Sequence, residues 1–260
     1  MTDPILTQRQ ENILQVTLNR PEAFNALNLD MMEALGKTMA SAAVDDSLKG
    51  VMLTGSGKAF CSGGDLKWIS QQSEAPGFVL YRLAPMFHVA ITEIRRMGKP
   101  VVAAINGIAA GGGFSLALAC DFRVMGQSAT LRQAYTSSGL SMDGGGSFAL
   151  PRLVGLARAM EIMAFDQPIS SAQALEWGLV TKVVPDEEVR NEALVLLQAL
   201  SKMSLHSFAW SKKLMTDSLN NTLETQLELE RQGISACAGH PEGQEGIKAF
   251  VEKRKPSFYS

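Results

Sequence analysis

The segments KAFCSGGDLKW (residues 58–68) and NGIAAGGGFSLALACD (residues 106–121) decide how this chain is interpreted. Each follows a short apolar run typical of a buried strand, and each continues into a pattern typical of a helix. Glycine lets a ligand atom approach the backbone closely, and the first N–H groups of a helix have no acceptor within that helix. The two segments therefore predict two places where bare backbone amides are available to a ligand.

Three roles can be considered for these bare amides. Each glycine cluster can simply make the tight turn from strand to helix. A phosphate cradle is disfavoured, because neither segment continues into the Lys-Ser/Thr of a P-loop and neither has GxGxxG spacing. Two amides that converge on one oxygen would instead stabilise a developing negative charge, which is the function of an oxyanion hole. The glycine pattern alone leaves the turn and the oxyanion hole as open alternatives.

The composition is that of a soluble globular protein with one large domain, or one domain and a small appendage. The 260 residues are 46% hydrophobic and 19% charged, with a formal net charge of −2. A surface that binds nucleic acid usually shows a basic excess, and this chain has none. We therefore expect no nucleic acid partner.

The cysteines Cys61, Cys120 and Cys237 are widely spaced and form no metal-binding pattern. Such spacing is typical of reduced thiols in a reducing compartment. The N-terminal residues MTDPILTQRQ show no signal region, and no apolar run approaches the ~18 residues of a membrane span. We expect a cytoplasmic protein with no metal site and no membrane partner. Cys61 has no evident His or Asp partner in sequence that would make it a nucleophile.

A strand–strand–helix unit recurs roughly three times in the first part of the chain. Apolar residues alternate along residues 12–21, which predicts a strand, and helical spacing begins after Asn28, a good N-cap residue. The helix predicted within residues 77–100 contains Pro85, which favours a kink. The last third is mainly helical, and its apolar surface packs either on the core or on another subunit. These patterns predict an α/β protein.

The combination of AFCSGGDL with the later KPVVAAINGIAAGGGFSLALACD closely resembles the enoyl-CoA hydratase/isomerase (crotonase) superfamily. LNRPEAFNAL is similar to the N-terminal signature of that superfamily, and ALEWGLVTKVV and EGIKAFVEKRKPSF are similar to its later segments. The resemblance covers essentially the whole chain. It is therefore a more specific signal than either glycine segment alone.

The resemblance implies a crotonase-like spiral of repeated β-β-α turns with a C-terminal helical region. The spiral core and active site would occupy residues 1–200, and a helical trimerisation region would occupy residues 201–260. The assembly would be a homotrimer or a dimer of trimers. The substrate would be an acyl-CoA thioester whose carbonyl oxygen is held by the backbone amides of Gly64 and Gly112. Because coenzyme A is part of that substrate, no separate cofactor is expected.

The family implies which residues carry the acid–base chemistry. Family hydratases use two glutamates, and at those positions this chain has Ser115 and Tyr135. One carboxylate remains in the region, Asp143 in GLSMDGGGSFALPRLVG, a segment that resembles Δ3-Δ2-enoyl-CoA isomerases and ring-opening epoxyphenylacetyl-CoA isomerases. A single carboxylate suits isomerisation, because it removes a proton alpha or gamma to the thioester and returns it elsewhere on the same skeleton. The alternative role of Asp143 is a helix N-cap.

His88 is a further candidate, because His88 and Asp143 match a His/Asp pair of the 4-chlorobenzoyl-CoA dehalogenases. In those enzymes the aspartate attacks an aromatic ring and the histidine activates water. The match is partial, since they have an aromatic side chain at the position of Gly64 and Trp at that of Tyr135. Alternatives are therefore a hydratase or hydrolase of a cyclic or aromatic acyl-CoA, and a weakly active CoA-binding paralogue. The simpler role for His88 is packing on an apolar helix.

The resemblance also implies contacts with the acyl group or with coenzyme A. The residues concerned are Ala23, Ala26, Lys58, Ala59, Asp65, Leu66, Lys67, Ser115, Tyr135, Phe250 and Lys253. The lysines would face phosphates, although each is also typical of a solvated surface charge. The C-terminal residues, with Lys248, would reach the adenine end of a coenzyme bound to a neighbouring subunit. Tyr135 would line the acyl pocket or act as a weak acid, and Ser115 would donate a hydrogen bond or pack.

Overall fold

The computed structural model describes residues 3–259, which form two β-sheets and the helices around them. The strands, in chain order, are β1 (Ile5–Gln10), β2 (Ile13–Leu18), β3 (Gly50–Gly55), β4 (Ala59–Cys61), β5 (Val101–Ile105), β6 (Ile108–Ala110), β7 (Phe122–Gly126), β8 (Thr130–Arg132), β9 (Ile169–Ser170) and β10 (Lys182–Val184). The α-helices are α1 (Leu29–Val44), α2 (Leu66–Ser70), α3 (Pro76–Arg96), α4 (Gly112–Ala119), α5 (Gly146–Phe165), α6 (Ser171–Glu176), α7 (Val189–Leu200), α8 (Leu205–Asp217), α9 (Leu223–Gly239) and α10 (Pro241–Val251).

The larger sheet has the strand order β1-β2-β3-β5-β7-β10, and the smaller sheet has the order β4-β6-β8-β9. β1 is antiparallel to β2 and β9 is antiparallel to β8, whereas the other neighbouring strands are parallel. β3, β5 and β7 lie in the larger sheet, and the strand that follows each of them lies in the smaller sheet. A helix follows each such pair of strands. The predicted spiral of β-β-α turns is therefore confirmed.

The larger sheet is covered on both faces. Every residue of β3 and β5 is buried, as expected for parallel strands with packed elements on either side. One face contributes to the main core, in which Phe60, Phe87 and Phe114 are fully enclosed. The opposite face packs against α7 in a second cluster that includes Val102 and Leu197. The helices of the spiral and α7 thus hold the sheet rigidly between them.

Local sequence signals set several helix boundaries. The side chain of Asn28 caps α1 by accepting a hydrogen bond from the Met31 N–H at 3.1 Å, as predicted. Pro85 does not end α3, which remains one helix over Pro76–Arg96. α5 is interrupted at Gly155, where φ is 75° and ψ is 160°, so that two helical stretches meet at this residue. A backbone with positive φ at this position favours glycine.

The C-terminal part consists of α8, α9 and α10. The ammonium group of Lys212 in α8 donates to the Ile94 carbonyl and to Asp121 Oδ2, both at 2.8 Å, and so attaches α8 to the core. Large apolar side chains are exposed along this part of the single chain: Met215, Leu219, Leu223, Leu227, Ile234, Ile247, Phe250 and Val251. Within residues 3–259, none of the helices combines the length and apolar character that a membrane span requires.

Candidate active site

A cavity of about 360 Å³ brings the two glycine segments together. Gly64 lines it from the first segment, and Gly111 and Gly112 line it from the second. Tyr135 and Asp143, which follow β8 in the chain, contribute polar side chains to the same wall. Residues that are distant in sequence therefore meet around one cavity.

The glycine segments are in direct contact at the cavity. A methyl group placed on Gly63 would lie 3.1 Å from the Gly112 nitrogen and 3.2 Å from the Gly111 Cα. Gly63 and Gly111 have φ of 99° and 52°, values that side chains disfavour. Glycine at these positions therefore allows both the backbone turn and the close approach of the two loops.

The Gly64 and Gly112 amides have no acceptor among residues 3–259. Gly64 lies in a short parallel bridge with Leu27, in which Leu27 bonds to the groups that flank Gly64. Gly112 is the first residue of α4, where an N–H has no partner within the helix. Two unpaired amides thus line one cavity, as the oxyanion-hole interpretation requires. Direct binding of an oxygen by both amides stays a prediction.

Asp143 and His88 form a close pair at the cavity. Nε2 of His88, on α3, lies 2.6 Å from Oδ1 of Asp143. The carboxylate accepts this hydrogen bond and the imidazole donates it, because an ionised carboxylate has no proton to give. Both side chains are partly exposed, at 47% for His88 and 42% for Asp143. The pair is therefore accessible to a ligand.

The alternative role of Asp143 as a helix cap is wrong. α5 begins at Gly146 after the N-cap residue Gly145, with no side-chain capping bond. Asp143 bonds to the helix start through its main chain, since its carbonyl oxygen accepts from the Gly146 N–H at 3.2 Å. The carboxylate is consequently free of any capping role and bonds to His88 instead.

Ser115 and Tyr135, at the positions of the two family glutamates, are joined by a hydrogen bond. Ser115 Oγ lies 3.1 Å from the Tyr135 hydroxyl, which lies 3.2 Å from the Asp143 carbonyl oxygen. Burial raises the pKa of Tyr135 to about 12, so the phenol stays protonated near neutral pH. Neither residue supplies a base for water at that pH.

The rest of the cavity wall is mostly apolar. It includes Leu27, Met32, Leu66, Ile69, Leu80, Leu83, Ala84, Phe87, Leu140 and Met142. Of these, only Leu66 was expected from the sequence as a contact. The four α3 residues at 80, 83, 84 and 87 share one helix face, and their i, i+3, i+4, i+7 spacing is a signal in the sequence. That spacing shows which face is apolar but not that it meets a cavity.

Among the expected coenzyme contacts, Ala23 lies beside a residue of the cavity wall, and Lys58 and Lys67 lie on the surface of the protein. The Ala23 carbonyl lies 3.5 Å from Oγ of Ser62, which lines the cavity. Lys58 and Lys67 are exposed, and neither forms an ion pair within the described part of the chain. Both lysines are therefore available to a phosphate group.

Other expected contacts have structural partners. Asp65 caps α2 by accepting from the Trp68 N–H and forms an ion pair with Arg20, both at 2.9 Å. Ala26 is buried, and its carbonyl accepts from the Arg20 guanidinium at 2.6 Å. These bonds hold the wall of the cavity in place.

The structure corrects the prediction that Ala59 contacts coenzyme A. It has no accessible surface, because it lies inside β4. Its carbonyl oxygen accepts from the side-chain amides of Asn25 at 2.8 Å and Asn106 at 3.4 Å. A direct contact with coenzyme A is therefore not available to Ala59. Phe250 and Lys253 lie at the end of the chain, and neither lines the cavity.

Cys61 is not a nucleophile in this structure. Its side chain is completely buried, and burial raises the pKa of the thiol to about 12. A thiol needs its ionised form and access to react as a nucleophile, and Cys61 has neither near neutral pH.

A larger cleft of about 730 Å³ lies between the end of α3 and α8. Its wall contains Arg95, Arg96, Trp210 and Lys213. None of the residues expected at the active site lines this cleft. The smaller cavity is therefore the candidate active site, because the free amides and the carboxylate meet there.

Comparison with known proteins identifies the family. The family model for enoyl-CoA hydratase/isomerase matches residues 8–260. The 1,2-epoxyphenylacetyl-CoA isomerase of Escherichia coli K12 is 34% identical over 99% of both chains, and a probable enoyl-CoA hydratase of Rhodobacter capsulatus is 38% identical over 95% of both. The crystal structure of an enoyl-CoA hydratase from Polaromonas sp. JS666 has a TM-score of 0.91 and 37% identity, covering 97% of this chain and 98% of that one. With its β-β-α spiral and its paired glycine segments, this chain belongs to the enoyl-CoA hydratase/isomerase family and has the crotonase fold.

Proposed function

We propose that this protein is an acyl-CoA isomerase that moves a double bond, or opens a ring, by proton transfer through Asp143. The backbone amides of Gly64 and Gly112 would hold the thioester carbonyl oxygen. One observation carries the proposal: Asp143 is the single carboxylate among the residues that line the cavity, and both free amides line the same cavity.

The chemistry follows from these groups. The Asp143 carboxylate takes a proton from a carbon alpha or gamma to the thioester, and the C–H electron pair moves into the acyl chain to give an enolate. The negative charge collects on the carbonyl oxygen, where each amide donor is worth ~10²–10³ in rate. The protonated Asp143 then returns the proton to another carbon of the same chain. The double bond shifts, no atom is gained or lost, and water takes no part.

Two findings support isomerisation over hydration. Hydratases of the family would activate water with two glutamates, whereas Ser115 and Tyr135 at those positions are neutral and bonded to each other. The raised pKa of Tyr135, about 12, keeps its proton in place near neutral pH. Relatives carry both isomerase and hydratase names, so the choice rests on the residues of the cavity.

The test compares wild type with Asp143→Asn on 3-enoyl-CoA thioesters in D₂O, with products followed by NMR. We expect wild type to form the 2-enoyl isomer and to add no water. Asp143→Asn should lose ~10²–10⁴-fold in kcat while the Kd for a CoA thioester stays nearly unchanged. Asp46→Asn, an exposed aspartate outside the cavity, serves as the control and should keep the wild-type rate. Full activity of Asp143→Asn, or water addition by wild type, would contradict the proposal.

A second candidate is a hydrolase that resembles the dehalogenases and acts on an aromatic acyl-CoA. The contact of 2.6 Å between His88 and Asp143 favours it. Asp143 would attack the ring carbon that bears a leaving group and displace that group, and water activated by His88 would then cleave the aryl ester. Release of chloride from a 4-chlorobenzoyl-CoA probe would support this function. Binding of CoA thioesters without any turnover would instead favour a CoA-binding paralogue.

We also propose a homotrimer or a dimer of trimers. The exposed apolar side chains of the C-terminal helices, such as Leu223, Leu227 and Ile234, support an interface in that region. Sedimentation equilibrium of the full chain tests this assembly. A monomeric mass at micromolar concentration would contradict it.

A further inference from the structure

The hydrogen bonds among Ser115, Tyr135 and Asp143 have a defined direction. A main-chain carbonyl only accepts, so the Tyr135 hydroxyl donates to the Asp143 carbonyl oxygen at 3.2 Å. Because the phenol has no second proton to donate, the Ser115 hydroxyl must donate to the Tyr135 oxygen at 3.1 Å. The chain therefore runs from Ser115 through Tyr135 to the backbone of Asp143.

This hydrogen-bonded chain is shielded from water. Ser115 is 1% exposed and Tyr135 is 8% exposed. Water therefore competes weakly for these hydrogen bonds, and their geometry is well defined. A phenol whose proton is given to a carbonyl inside the protein is a poor donor to substrate. Tyr135 thus supports the protein chain rather than the reacting atoms.

The segment from Asp143 to Gly146 is also packed tightly against two helices. A methyl group on Gly146 would lie 2.5 Å from Ser115 Oγ, and a methyl group on Gly144 would overlap the ring of Phe87. α4 therefore contacts the segment on one side and α3 contacts it on the other. Tyr135 adds a directional bond to the Asp143 peptide itself.

The carboxylate of Asp143 depends on this support. Among residues 3–259, its side chain has one hydrogen-bond partner, His88, and it is 42% exposed. The position of the carboxylate is thus set mainly by its main chain. Misplacement of a reacting group by about 1 Å can cost ~10²-fold in rate.

We infer that Tyr135, held by Ser115, is a positioning residue that fixes the main chain of Asp143 and so aims its carboxylate into the cavity. The inference rests on the proposed function of Asp143 as the proton carrier. The two positions that hold acid–base glutamates in family hydratases would here support a single carboxylate at a third position.

The test is a kinetic comparison of Tyr135→Phe, Ser115→Ala and the double variant on the isomerase substrate. Tyr135→Phe keeps the ring and removes both hydrogen bonds, so we expect kcat to fall ~10–100-fold with KM within ~3-fold of wild type. Ser115→Ala should lower kcat by a smaller factor than Tyr135→Phe does. The double variant should be no slower than Tyr135→Phe alone, because the residues act as one chain. Tyr81→Phe, at a tyrosine that is 80% exposed, is the matched control.

A further readout separates positioning from a simple loss of folded protein. With substrate deuterated at the carbon that loses the proton, the isotope effect on kcat in Tyr135→Phe should exceed that of wild type, because proton transfer has become slower and limits the rate more fully. A partly unfolded preparation would lower kcat and leave KM and the isotope effect unchanged, which would overturn the inference. If Tyr135→Phe does not fold, measurement of kcat, KM and the isotope effect for Ser115→Ala tests the inference instead.

Failure of the inference and failure of the proposed function give different results. If Asp143→Asn loses activity but Tyr135→Phe retains the wild-type rate, the positioning role is wrong and the isomerase function stands. If wild type does not isomerise, or if Asp143→Asn remains fully active, the proposed function is wrong and the inference falls with it.

Discussion

Nε2 of His88 lies 2.6 Å from Oδ1 of Asp143 across the gap between α3 and the segment before α5. The two residues are separated by 55 positions in the chain, and each is about half exposed. Because water screens such a pair, it contributes little to folding stability. The pair instead places a carboxylate and an imidazole beside a cavity with two free amides.

The His88→Gln variant should distinguish the two candidate functions. If Asp143 alone carries the proton, replacement of the imidazole by an amide, which can still donate to the carboxylate, should lower the isomerisation kcat only about 2- to 10-fold. If His88 activates water, hydrolytic activity should fall by ~10²–10⁴. Parallel assays of double-bond migration and of acid release on the same preparation give the answer. A loss of isomerisation as large as that of Asp143→Asn would mean that His88 also takes part in proton transfer.

Gly112→Pro should remove one of the two amide donors without breaking a bond inside the protein. Proline is favoured at the first position of a helix, which Gly112 occupies in α4, and its N–H has no acceptor among residues 3–259. We expect kcat/KM to fall ~10²–10³-fold, the value of one oxyanion donor.

Gly112→Ala is the matched control for that variant. It retains the N–H and adds the same Cβ, which would lie 3.0 Å from Cδ1 of the buried Leu27, a methyl group that must shift slightly to accommodate it. The ratio of kcat/KM between the alanine and proline variants removes the effect of the added Cβ and leaves the effect of exchanging the N–H for the proline ring. Equal values would exclude a role for the Gly112 amide.

Lys212→Ala should strongly destabilise the protein. Its ammonium group is buried with Asp121, and burial lowers the pKa of Lys212 while raising that of Asp121. Removal of one partner leaves a buried charge without compensation, which costs ~3–5 kcal/mol in the free energy of unfolding. Lys213→Ala, at the exposed neighbouring position, should change it by less than ~0.5 kcal/mol. Urea unfolding measures both, and similar values for the two variants would refute this account of α8.

The thiols should react in an order set by burial. Burial raises the pKa of both Cys61 and Cys120 to about 12, and both side chains are inaccessible. Cys237 is only partly buried. At pH 8 we expect iodoacetamide to modify Cys237 alone in the folded protein, and all three cysteines after denaturation. Mass spectrometry of digested protein gives the sites, and rapid labelling of Cys61 in folded protein would contradict the structure.

The same two thiols predict a loss of stability at alkaline pH. Their folded pKa values exceed the unfolded value of roughly 8.5, so their contribution is complete below that pH and declines as pH rises towards 12. The decline should be about 1.4 kcal/mol per pH unit for each thiol. Urea unfolding at pH 7 and pH 10 measures it. The Cys61→Ala/Cys120→Ala variant should show a flatter pH dependence, and an unchanged slope would contradict the assignment.

Local features of the fold could be predicted because their partners are close in sequence. Asn28 caps α1 through an N–H only three positions away, and Asp65 does the same for α2. The mainly apolar runs of β3 and β5 indicate strands buried on both faces. The choice of a spiral came from the resemblance to a family, since strand and helix patterns do not specify how the strands are shared between two sheets.

The role of Asp143 shows where sequence reasoning stopped. An aspartate just before a glycine-rich helix start is compatible with both a cap and a catalytic group. The tertiary structure excludes the cap, because the helix begins at Gly146 and the carboxylate bonds to His88. Ala59 shows the opposite error, since a position implied by resemblance proved to be inaccessible inside β4.

The sequence by itself determined the two glycine segments, the resemblance to a family with a spiral fold and the absence of the hydratase glutamates, because these depend on residue identity and short spacing. Only the tertiary structure decided that Ser115 bonds to Tyr135, that Tyr135 bonds to the Asp143 backbone, and that His88 meets the Asp143 carboxylate. The physical reason is the distance in sequence between the interacting residues. Caps and turns depend on neighbours within a few residues, whereas these bonds depend on how α3, α4 and the segment before α5 pack around one cavity.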